Sequence, residues 1–115
     1  MSRAGIAKEN FLKGYTCAQA VLLAFSDLTH ADEETAKKIS LPFGGGTGRL
    51  RLTCGSFSGA VMALGLLFSD TKTDPENKRE VYAAVQELAA RFKAENGSLI
   101  CGELLTGAHL KADTA

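Results

Sequence analysis

The chain has 115 residues, the usual size of one domain, and 45% are hydrophobic against 23% charged, so it can bury a core. Thirteen basic residues balance thirteen acidic ones, which leaves no net field to draw in nucleic acid or an anionic membrane. The charged N-terminus lacks the apolar stretch of a secretory signal, and the apolar run from Cys54 to Phe68 is too short for a membrane span, so a single cytoplasmic domain over residues 1–115, without membrane insertion, is expected.

Ile6, Ala7, Phe11 and Tyr15 recur at helical spacing and predict a first helix over about residues 3–13, ended by Gly14. Thr16 can cap a second helix running through Leu28, whose apolar residues wrap nearly all round it and predict a central position. Asp32, Glu33 and Glu34, followed by Lys37 and Lys38, match the helix dipole of a third helix that stops before Pro42. Gly44, Gly45, Gly46 and Gly48 then predict a tightly folded loop.

Beyond the loop, Thr53 can cap a fourth helix from Cys54 to about Phe68, in which Gly55, Gly59 and Ala63 leave one face nearly bare for close approach of another helix. Asp74 and Pro75 open a fifth helix with an apolar face of Val81, Val85, Leu88 and Phe92, ended at Asn96-Gly97. A short last helix over residues 99–105 carries Cys101, and the polar tail 106–115 is expected to fray. No window alternates apolar and polar residues, so the expected fold is all-α: a bundle of five to six helices with a central apolar, Gly-rich helix.

The glycine loop departs from both phosphate-binding patterns. Gly48-Arg49-Leu50 stands where one needs Gly-Lys-Ser/Thr, and Arg49 where the other needs its third glycine, so the loop reads first as a sharp connection. Arg49 and Arg51 leave general anion binding as its second reading. His30 and His109 sit among polar residues, where solvated histidines are common, and no serine has a histidine and a carboxylate close by in sequence.

Three cysteines remain as candidates for chemistry. Cys17, Cys54 and Cys101 each fall near a predicted helix N-terminus, where the positive end of the helix dipole favours a thiolate. Gathered at one end of a bundle they could exchange electrons as dithiol and disulfide, or bind a transition metal or an iron–sulfur cluster. Their spacing matches no compact zinc or ferredoxin pattern, and buried cysteines often only fill space.

Four segments in order resemble a known family. They are residues 14–21 with Cys17, residues 43–48, Cys54-Gly55 through Gly59-Ala60, and Phe92 through Gly97 to Cys101 and Leu105. The chain resembles the redox-active proteins named for a C-GCAxxG-C-C cysteine pattern. The resemblance implies a small helical protein with four characteristic cysteines that is redox-active or holds a metal or cluster. Carried over, Cys17, Cys54 and Cys101 fill three of those positions and Gly55 and Gly59 are the glycines of the central motif, but the chain has no fourth cysteine beyond Cys101.

The leading expectation is a thiol-based redox or electron-transfer protein with Cys54 as thiolate and Cys17 or Cys101 as its resolving partner. Two alternatives stand beside it. One is a metal or iron–sulfur module with Cys17, Cys54 and Cys101 as ligands and His109 as the fourth; the other is a helical interaction domain with cysteines as core residues. Whether the chain is an enzyme is left open, and the expected partners are a redox protein and a second copy of the chain.

Overall fold

Four helices begin where a side-chain oxygen takes the place of a missing helical carbonyl. The computed structural model describes residues 2–105, and within them seven α-helices are joined by short connections. In α1 (Arg3–Leu12) the Ser2 side chain accepts from the Gly5 amide. For α2 (Cys17–Leu23) Thr16 Oγ1 accepts from the Gln19 amide while Gln19 Oε1 accepts from the Thr16 amide, a reciprocal cap that fixes the first turn. Asp32 caps α4 (Glu33–Ser40) and Asp74 caps α6 (Pro75–Asn96), whose first residue is the predicted proline.

The second predicted helix is two helices, because two of its carbonyls have other partners. Ser26 Oγ donates to Leu23 O at 2.8 Å, and Arg3 Nη1, from the adjacent α1, donates to Ala24 O at 2.8 Å. The ladder tightens here, with the Ala24 and Phe25 amides donating to Val21 O and Leu22 O, and α3 (Ser26–Thr29) restarts as a single turn. The third helix ends at Ser40, and Pro42 falls inside a 3₁₀ turn, Leu41–Phe43.

Thr53 does not cap the next helix, α5 (Gly55–Phe68). It is drawn into an antiparallel bridge with Ile100, and Cys54 occupies the N-cap without a capping hydrogen bond from its thiol. The last helix, α7 (Cys101–Leu104), is shorter than expected, and the tail 106–115 lies outside the described residues. Among those residues there is no strand beyond that one bridge, and no helix is long and apolar enough to cross a membrane.

Packing centres on α2, which touches α1, α4 and α5. The Gly-rich α5 does not hold the centre along its whole length. Its early turns press Gly55, Phe57, Gly59 and Ala63 into the bundle, while Leu66 and Phe68 at its end are exposed. Small residues set the α2–α5 spacing, since a methyl group at Gly59 would lie 2.5 Å from Ala18 O. Leu22, Ala36 and Ala63 form the fully enclosed core between α2, α4 and α5. The long α6 packs on α5, where Phe92 meets Phe57 edge to face at 5.7 Å.

Candidate functional site

The start of α2, the start of α5 and the start of α7 come to one end of the bundle, and each carries a cysteine. Cys17 is the first residue of α2, Cys54 the N-cap of α5 and Cys101 the first residue of α7. All three line a single cavity of about 690 Å³. Cys17 and Cys54 are half-buried and Cys101 is buried, and all three are free thiols.

Local chemistry fixes each sulfur-bearing turn. Cys17 is held by the reciprocal cap of Thr16 and Gln19, and the Gln19 side chain, itself buried, donates from Nε2 to Lys37 O at 2.9 Å and so ties the turn to α4. Cys54 is held by its amide donating to Leu99 O at 2.7 Å, and Cys101 by its amide donating to Leu52 O at 2.5 Å. These two bonds flank the Thr53–Ile100 bridge, so segments 52–54 and 99–101 form one small pad beneath the cavity. Cys17 Sγ lies against Gly55, where any side chain would collide with it.

The glycine loop makes these approaches possible. A methyl group at Gly44 would meet Thr16 Cβ at 2.6 Å, and one at Gly46 would meet Cys101 Cβ at 2.6 Å. The loop is thus the surface on which the Cys17 and Cys101 turns rest. Its amides are used internally: those of residues 47–52 each donate to a carbonyl within residues 42–47. The amides of residues 47–52 are thus not turned outward as a phosphate cradle would need. Its backbone is left-handed at Gly45, Gly46, Thr47, Gly48 and Arg49, and again at Arg51, with φ of 65° at Thr47 and 62° at both arginines. Such angles are costly for residues with a Cβ and concentrate at sites where a side chain must be placed.

Arg51 is the residue of this site that spacing in the sequence does not reveal. Fifty residues separate it from Cys101, yet its Nη1 points a hydrogen toward Cys101 Sγ at 3.9 Å. Its Nε is buried with no hydrogen-bond partner among the described residues. Arg49 also lines the cavity, and Phe11, Leu41, Leu104 and Leu105 supply apolar wall.

Among the described residues no group of three or more Cys, His, Asp or Glu side chains is arranged to hold a metal ion, although thiolate sulfur is a suitable donor. His109, the expected fourth ligand, lies outside the described residues, and His30 sits at the end of α3, exposed and not among the residues lining this cavity.

No curated protein and no solved structure matches the chain. Residues 15–115, which hold all three cysteines and the glycine loop, are matched by the model of the family described as "Putative redox-active protein (C_GCAxxG_C_C)", and the chain belongs to that family.

Proposed function

We propose that the protein is a thiol–disulfide exchange protein in which Cys54 reacts with an oxidised disulfide and Cys17 resolves the bond that forms. The observation that carries this reading is the seating of Cys17 Sγ against Gly55, the residue next to Cys54, on the wall of a cavity that both cysteines line. Cys54 is half-buried and is the N-cap of a helix of fourteen residues.

The chemistry is a two-electron exchange. The Cys54 thiolate attacks one sulfur of the external disulfide, the S–S bond breaks and the other sulfur leaves as a thiolate that takes up a proton. Cys17, as thiolate, then attacks Cys54 Sγ in the mixed disulfide and expels the second external thiol. Two protein thiols have lost two electrons and two protons, and one external disulfide has become two thiols. Cys101 is not consumed in this scheme.

The test is to equilibrate the protein in buffers of graded reduced and oxidised dithiothreitol, block free thiols and map the linkages by mass spectrometry. A Cys17–Cys54 disulfide is expected in the parent chain and in Cys101→Ser, and none in Cys17→Ser or Cys54→Ser. If Cys17 and Cys54 stay unlinked at every potential, the reading fails.

A further inference from the structure

We infer that the cavity is a binding site for a small disulfide that carries a carboxylate, with the Arg51 guanidinium as its anchor; the inference rests on the exchange reading above and names its substrate class. The first observation is the cavity's size. At about 690 Å³ it falls within the range of small-molecule sites.

The second observation is charge. Among the described residues, Arg49 and Arg51 are the only ionised side chains lining the cavity, and no aspartate or glutamate lines it. Among the described residues the half-buried Arg51 side chain makes no ion pair, its one hydrogen bond runs to a thiol sulfur, a weak acceptor, at 3.9 Å, and its buried Nε has no partner. A buried guanidinium N–H without an acceptor is costly, and a carboxylate matches the planar fork that carries it.

The third observation is backbone cost. Residue 51 sits at φ 62°, an angle that glycine adopts freely and arginine does not. The strained residue carries a long cationic side chain to Cys101 Sγ. A ligand that presents an anion to Arg51 and a disulfide to Cys54 uses both features, and the apolar wall accepts the methylene chain between them.

The test measures the second-order rate at which the reduced protein opens three disulfides of similar length: dithiodipropionate, which is dianionic, neutral 2-hydroxyethyl disulfide and dicationic cystamine. Each rate is divided by that of free cysteine with the same compound, which removes intrinsic reactivity. The parent chain should favour dithiodipropionate over the neutral disulfide by about tenfold, the worth of one charge-assisted hydrogen bond. Arg51→Met should erase that preference while leaving the neutral rate within about twofold, and Arg51→Lys should keep part of it. Suberate, the all-carbon isostere of dithiodipropionate, should inhibit the parent competitively and leave Arg51→Met unaffected.

Equal normalised rates for the three compounds, or a preference that survives in Arg51→Met, would overturn the anchor while leaving thiol exchange intact. No rate above that of free cysteine for any compound would bring down the exchange reading, and the inference with it. Because the neutral disulfide reports on the thiols alone, a misfolded Arg51→Met would show itself as a loss of that rate, and Arg51→Lys then decides the matter.

Discussion

Two stretches of this chain are rich in glycine for reasons that overlap only in part. Along the early turns of α5, Gly55 and Gly59 have ordinary helical backbone but no room: a methyl group at Gly59 would meet Ala18 O at 2.5 Å. In the loop after the 3₁₀ turn, Gly48 has room on every side, with nothing within 4 Å of a methyl group placed there, but its φ is 57°. The helix spends glycine on closeness, whereas the loop spends it on direction of the chain at Gly48 and on closeness at Gly44. Both serve the same end, since the first seats α5 against the α2 turn that carries Cys17 and the second folds the loop under Thr16 and Cys101.

The sharpest way to break this distinction is substitution by alanine, read as urea midpoints at constant slope. Gly59→Ala should lose about 2 kcal/mol, because overpacking against a backbone carbonyl outweighs the usual helical gain of alanine. Gly48→Ala should lose about 1.5 kcal/mol without any clash, and Gly48→Asn should recover part of the loss because asparagine tolerates the left-handed region. Gly65→Ala, in the same helix as Gly59 but with only Ser69 Oγ at 3.8 Å, should gain about 1 kcal/mol. If Gly59 and Gly65 respond with the same sign, spacing along α5 and not the contact with α2 governs the effect.

The smallest effect concerns acid. The Arg3 side-chain hydrogen bond holds the Asp27 carboxyl below the usual carboxylate range, and the Thr35 amide and hydroxyl do the same for Asp32. Each contributes stability that is fully present above the ordinary carboxylate range, about pH 4, and is lost as pH falls through the lowered folded value. Asp27→Asn and Asp32→Asn should each flatten that decline. Neither carboxylate touches a glycine-rich region, so Gly59→Ala and Gly48→Ala should shift the acid curve down without changing its shape.

What could be read from the sequence was mostly what a helix settles with its nearest neighbours. The caps at Thr16 and Asp74 and the stop at Gly97 involve residues two to four apart, so the spacing shows them. The small-residue face of α5 was legible for the same reason, as a stripe within one helix. The break between α2 and α3 was not, because half of its cause is a guanidinium 21 residues away. Thr53 looks like a cap in isolation, and only Ile100 redirects it into a bridge.

The site divides along the same line. The three cysteines stand out by type and by position at helix starts, and the cavity they line collects them. Arg51 drew notice only as positive charge beside glycines. Its place at Cys101 depends on a run of left-handed residues that includes Thr47 and Arg49, neither of which advertises that conformation.

The 22 residues of α6 have a mechanical meaning. The fourteen residues of α5 carry the chain roughly 21 Å away from Cys54, and α6 brings it back over a strut of roughly 33 Å to deliver Cys101 beside the place where α5 began. None of its residues is fully buried, so away from the face that carries Phe92 its surface is free to drift in sequence. Its length is not: one residue added within it would swing everything downstream by about 100° and carry a third sulfur away from the other two.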